Sequence, residues 1–129
     1  MTKEPPGLPC EVVTTDEFQD WWMNLPETQH DAIRDVVNLL EQFGVDLPFP
    51  HQSNVGASKY AMRELRRKSG AHQLRVFYVF DETREAVVLL GGDKLGVGDK
   101  RFYEKVVPRA DALWETYCKE QGRKARRKS

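Results

Sequence analysis

The segment from Tyr60 to Asp99, YAMRELRRKSGAHQLRVFYVFDETREAVVLLGGDKLGVGD, constrains the fold more than any other part of the chain. Side chains on a strand alternate between two faces with period two. From Leu74 to Asp81 both faces are apolar once Arg75 is passed, with Leu74, Val76, Tyr78 and Phe80 on one and Phe77 and Val79 on the other. That is the pattern of a central strand. Ala86 to Leu90 is a continuous apolar run rich in β-branched residues, closed by Gly91 and Gly92. Ser69 to His72 and Asp81 to Arg84 have the length of hairpin loops, so three antiparallel strands are predicted.

Register turns this pattern into an expectation about a site. With four-residue loops at both turns, Lys68 faces Gln73 and Arg66 faces Arg75, while Phe80 faces Glu85 and Leu90 faces Arg75 from the other side. Arg66, Arg75, Leu90, Gly92 and Lys94 then share one face, joined by Glu64 through alternation. A slip of one residue in either turn moves a member to the opposite face. Like charges directly opposed in a sheet cost a few tenths to about 1 kcal/mol unless a counter-charge or an anion lies between them. Glu64 or a bound phosphate would serve.

The chain has 129 residues, the size of one domain, and its 20 Lys and Arg balance its 20 Asp and Glu. Whole-molecule attraction to nucleic acid is therefore excluded, and binding of that kind has to come from local clustering. Between Lys59 and Arg101 ten Lys or Arg stand against six Asp or Glu. Cys10 and Cys118 lie far apart with no paired Cys or His spacing, so neither a zinc site nor a disulfide framework is indicated, and no cofactor is implied. No apolar run is long enough to cross a bilayer and no signal-peptide core is present, which gives the expectation of a soluble, cytoplasmic protein without a membrane partner.

In chain order, residues 1–10 read as a flexible lead, 11–120 as the domain and 121–129 as a basic tail. Glu11 to Thr14 suits an edge strand. Thr14 and Glu17 form a capping-box pattern ahead of Phe18, Trp21, Trp22 and Leu25, an amphipathic helix whose tryptophans fill a core. Pro26 opens a second helix with Ile33, Val36, Val37 and Leu40 on one stripe, ending at Gly44, and His30 at its start reads as solvated. His51 to Ser58 reads as a polar loop beside the site. Asp99 to Val107 and Pro108 to Lys119 read as helical, with Pro108 marking a kink or a fresh start. The tail, QGRKARRKS, reads as a solvated end, with contact to a nucleic acid or ribosome surface as the alternative. The order is β-α-α-β-β-β-α, an α+β class.

This order, with Arg63-Glu64-Leu65-Arg66 on the first hairpin strand, Arg75-Val76-Phe77-Tyr78 on the second and Gly91-Gly92-Asp93-Lys94 after the third, resembles the RelE/ParE superfamily of type II toxin-antitoxin toxins, more narrowly the phage-derived HigB-like branch. The resemblance covers about Glu11 to Tyr117. It implies a RelE-like domain with a twisted antiparallel sheet, helices on one side and an open cationic face on the other. It also implies an mRNA endoribonuclease acting on the ribosome, held inactive by a helix-turn-helix antitoxin. Cleavage in this class proceeds without metal, by attack of the 2′-hydroxyl on the adjacent phosphate.

Such an attack requires removal of the 2′-hydroxyl proton, stabilisation of the pentavalent phosphate and protonation of the leaving oxygen. Arginine suits the second task because its fork matches phosphate geometry and its charge persists. Arg66, Arg75 and Lys94 are the expected phosphate-stabilising groups, Glu64 the base candidate, and Tyr103 a stacking or proton-donating group. Arg63, Lys68, His72, Lys100 and Arg101 are expected RNA contacts. The family often carries lysines on the first hairpin strand, where Glu64 and Arg66 stand here, and Asp93 departs from its more basic turn. Glu64 as a salt-bridge partner, Tyr103 as a packed ring and His72 as a turn residue are the structural alternatives. At the level of function, a gyrase-poisoning relative and a non-catalytic RNA- or antitoxin-binding protein remain open.

Overall fold

A computed structural model describes residues 9–128. The expected lead over residues 1–10 lies outside the described residues except for Pro9 and Cys10, and Cys10 is tied to the domain by its N–H, which donates to the Glu41 carbonyl at 2.9 Å. The elements are β1 (Val12–Thr14), α1 (Asp16–Met23), α2 (Glu27–Phe43), a short 3₁₀ turn (Gly44–Asp46), β2 (Gln52–Asn54), β3 (Met62–Ser69), β4 (His72–Phe80), β5 (Ala86–Asp93) and α3 (Asp99–Glu120). Five strands form one sheet in the order β1-β5-β4-β3-β2. All neighbours are antiparallel except β1, which runs parallel to β5.

Two apolar layers flank the sheet. α1 and α2 place Phe18, Ile33, Val36 and Leu40 against Leu65, Leu74, Val76, Tyr78 and Val88. α3 places Phe102, Val106, Val107, Ala110 and Trp114 against Phe77, Val79, Val87, Leu89 and Leu90. The expectation of helices on one side only is thus corrected. β4 is apolar on both faces, each buried side chain contributes about 1.5–3 kcal/mol, and leaving either face in water would forfeit that. Only the end of the second face, beyond Phe77, is left for charged groups.

Four local readings change. The residue capping α1 is Thr15, whose hydroxyl accepts from the Phe18 N–H at 3.1 Å, while Thr14 ends the strand. His30 is not solvated: its ring stacks on Trp22 with centroids 3.9 Å apart, and its carbonyl accepts from the Trp22 indole. α3 runs through Pro108 without a break, since a proline removes one hydrogen bond and the packed apolar stripe on both sides of it holds the helix together. Finally, the polar loop contains β2, which pairs with β3 through Gln52–Leu65, Ser53–Glu64 and Asn54–Arg63.

The hairpin registers decide the site. Lys68 pairs with Gln73 and Arg66 with Arg75, as expected. In the second hairpin Phe80 pairs with Ala86, so its loop holds five residues, and a bulge between the Phe77–Leu90 and Tyr78–Val88 pairs adds one more residue on β5. Gly92, not Leu90, therefore faces Arg75. The loop and the bulge each displace the register by one, and two displacements restore the original face. Leu89 and Leu90 both join the α3-side core, and Gly92 lies under Phe102 of that helix.

Candidate active site

The site lies where the second face emerges from beneath α3. Glu64 of β3 and Arg75 of β4 are buried there, at 5% and 3% exposure, beside apolar neighbours. Glu64 accepts from the Tyr103 phenol at 2.6 Å and from the Ser53 hydroxyl at 2.8 Å, and its Oε1 lies 3.7 Å from Arg75 Nε. Arg75 donates from Nη1 to the Leu74 carbonyl at 3.0 Å, whereas its buried Nε has no hydrogen-bond partner. Directly opposite, Arg66 extends over the Phe49 ring, 5.2 Å from guanidinium carbon to centroid. A cavity of about 440 Å³, lined by Phe49, Pro50, His51, Arg66, Arg67, Lys68 and Arg75, opens at this point.

Lys94 follows β5 and its ammonium stands 5.6 Å from the Tyr103 ring centroid and 2.6 Å from Asp99 Oδ1. Asp99 is the exposed first residue of α3. Its carboxyl is held below the usual range by its hydrogen bond to Lys94 and by Lys94's charge, with the fields of Arg75 and Arg66 adding to them. Of the three cations Lys94 is the one in contact with Asp99, while Arg66 and Arg75 are paired across β3 and β4. Gly96 and Gly98, both at positive φ, form the turn that brings Lys94 and Asp99 together, a conformation costly for any residue with a Cβ.

Tyr103 is pushed up to about 12 by burial first and by its bond to Glu64 second, with Arg75 working in the opposite direction. It therefore stays a neutral donor across all ordinary pH. Asp93 does not repel from within the cluster. Burial alone would raise its carboxyl, but the Leu95 N–H, His72 and the Gln73 N–H together hold it below the usual range. The His72 Nδ1 to Asp93 Oδ2 distance is 2.5 Å, and His72 begins β4 rather than sitting in the turn.

Of the expected RNA contacts, Lys68 lines the cavity beside Arg66, and Lys100 and Arg101 are exposed on the first turn of α3. Arg63 is on the other face of β3, its guanidinium 5.2 Å from the Phe80 centroid and donating to the Val45 carbonyl at 3.1 Å. Sequence reasoning missed Ser53, Phe49 and Asp99. Ser53 lies in a strand with no apolar alternation, Phe49 carried no signal beyond its prolines, and only Asp99's place just ahead of a helix could have drawn notice. Among the described residues no three His, Cys, Asp or Glu side chains converge to hold a metal ion.

A small α+β domain with a cation cluster against the start of its last helix is the class defined here, and comparison with known proteins gives it a family. The family model described as phage-derived protein Gp49-like matches residues 20–115, and the chain belongs to that family. It is 32% identical over 107 residues to a protein named as a toxin, HigB3, from Mycobacterium tuberculosis, covering 82% of this chain and 91% of that one. With HigB2 of the same organism, also named as a toxin, identity is 27% over 106 residues, covering 78% of this chain and 53% of that one. Two solved structures are also similar. They are the intact Escherichia coli RelBE toxin-antitoxin complex (TM-score 0.48, 14% identity, 64% of this chain and 94% of that one) and the archaeal RelE-RelB complex from Pyrococcus horikoshii (TM-score 0.49, 13% identity, 70% and 100%). Among the described residues no helix is long and apolar enough to cross a membrane.

Proposed function

We propose that this toxin is a ribosome-dependent mRNA endoribonuclease, cutting by 2′-hydroxyl attack and neutralised by a cognate helix-turn-helix antitoxin. The observation that carries the reading is the buried Glu64–Tyr103–Arg75 group facing Arg66 and Lys94. A scissile phosphate between these cations would relieve the repulsion of two opposed arginines.

The proton path follows from the same contacts. Glu64 has two acceptor bonds occupied and carboxylate lone pairs to spare, so it can take the 2′-hydroxyl proton. As the 2′-oxygen bonds to phosphorus, the cations hold the charge gathering on the equatorial oxygens. When the bond from phosphorus to the 5′-oxygen breaks, Tyr103 gives that oxygen its proton. Glu64 then returns the captured proton to the phenolate across their hydrogen bond, leaving a 2′,3′-cyclic phosphate and a 5′-hydroxyl. The exposed Phe49 ring beside Arg66 offers a stacking platform for a base.

The test is primer extension on mRNA from translating ribosomes incubated with purified, antitoxin-free protein. New 5′ ends with the wild type and their absence with Arg75→Ala are expected. No cuts by the wild type would overturn the proposal.

A further inference from the structure

The densest run of positive charge outside the site is the C-terminal segment. It carries Arg123, Lys124, Arg126, Arg127 and Lys128 and no acid, and it does not hang free of the domain. Arg123 Nη1 is 3.0 Å from Asp81 Oδ2. Ala125 packs against the α3-side core. Lys128 donates its backbone N–H to the Lys59 carbonyl at 3.0 Å and its ammonium to the Gly56 carbonyl at 3.1 Å. Pinned at both ends, the segment becomes a strap that holds Lys124, Arg126 and Arg127 out toward solvent.

Where the strap reaches Lys59, a groove of about 590 Å³ opens between the 55–60 loop and α3. Lys59 and Lys100 line it, Val107 and Pro108 contribute apolar surface, and Tyr103 is one of its walls. This is the same Tyr103 whose phenol binds Glu64 in the cleavage site. Two of the acids there are already engaged: Asp111 by the Ser58 hydroxyl, and Glu115 by the Tyr60 phenol and by Lys59. The carboxyl of Glu115 is held low first by Tyr60, then by Lys59, and the Lys128 N–H bond to the Lys59 carbonyl brings the strap to the groove's edge. Glu104 is the exposed acid left on this path.

We propose that single-stranded RNA leaving the cleavage site runs through this groove and onto the strap, its phosphates meeting Lys100, Arg127 and Arg126 in turn. Spaced cations with an aromatic wall at one end suit a flexible polyanion, and the chain's zero net charge means that attraction to RNA must come from local tracks of this kind. The inference rests on the proposed cleavage reading for the direction of the track.

Fluorescence anisotropy with 2′-O-methyl oligoribonucleotides tests it, because blocking the attacking hydroxyl separates binding from cutting. A trinucleotide fills only the site, and a dodecanucleotide also spans the track. The wild type is expected to bind the longer probe more tightly. Arg126→Gln with Arg127→Gln, both exposed and neither holding the strap down, is expected to weaken the longer probe about 10-fold and leave the trinucleotide unchanged. Two lost phosphate contacts should also reduce the slope of log affinity against log salt by about 1.4. Equal affinity and slope for variant and wild type, or no gain with length in the wild type, would overturn the track. If ribosomal cuts appear without length dependence, the track alone falls. If length dependence appears without cuts, the cleavage reading falls and the track stands.

Discussion

Glu64 is held by three groups at once, and each bond removes a freedom that a catalytic carboxylate would otherwise have to lose during reaction. Ser53 and Tyr103 fix its two oxygens, and Arg75 fixes its charge. Replacing Arg75 by Ala removes a proposed phosphate donor and leaves the buried Glu64 carboxylate without its cation. Cleavage should fall by about 10²–10³-fold, the loss of about 3–4 kcal/mol typical of one such donor. Thermal unfolding should shift down as well, because an uncompensated buried charge is costly. Tyr103→Phe separates proton delivery from stacking, since the ring stays and the hydroxyl goes. Because the phenol is pushed up to about 12, the wild-type rate should show no alkaline fall from this group below about pH 11. Single-turnover rates of the variant across pH should be lower throughout and unchanged in shape. A variant as fast as the wild type would remove Tyr103 from the proton path.

At the scale of elements, the sheet accommodates its helices through two glycines. A Cβ on Gly91 would lie 2.2 Å from the Trp21 ring, so the α1 tryptophan rests directly on the β5 backbone. Gly91→Ala is therefore expected to destabilise by about 1–3 kcal/mol, the range for overpacking a filled interior. In a Trp21→Leu background the same change should cost much less, and a denaturant double-mutant cycle measures the coupling. The β4–β5 loop has its own anchor. Asp81 accepts from the Thr83 N–H and hydroxyl, from the Glu85 N–H and from Arg123. Burial alone would raise its carboxyl, but these donors together hold it below the usual range. A depressed folded value contributes stability that is present above the unfolded value of about 4 and lost as pH falls through the folded one. Asp81→Asn should accordingly lower stability at neutral pH, and its gap from the wild type should close below about pH 4. A gap that stays constant with pH would contradict the anchor.

At the scale of the whole molecule, the sheet is covered on both faces, and this confines the proposed cleavage chemistry to the end where α3 begins. The same helix's far end leads into the strap, which crosses back to the 55–60 loop. Deleting residues 123–129 removes the Arg123–Asp81 pair, the Ala125 packing and the Lys128 bonds. A cost of about 1 kcal/mol is expected, seen as a fall in Tm of about 5 °C.

Much of this was legible from alternation and periodicity. The three hairpin strands, both amphipathic helices before them and the opposition of Arg66 to Arg75 follow from local patterns, because side-chain direction in a strand or helix is set by the backbone period. Glu64, Arg66 and Arg75 could be placed on one face for that reason. β2 was not legible, since Gln52, Ser53 and Asn54 have no apolar face and pair only because β3 offers an open edge. Neither was the bulge at Leu89, whose displacement cancels that of the longer turn.

The sequence by itself determined the three hairpin strands, how the first two of them pair and which charged residues share a face. All of these depend on neighbours within a few residues. Only the tertiary structure decided that α3 covers that face up to Phe102, that Asp99 and Ser53 join the cluster, and that the basic tail lies bound. Those outcomes depend on surfaces far apart in the chain burying one another, and no local period records which surface meets which.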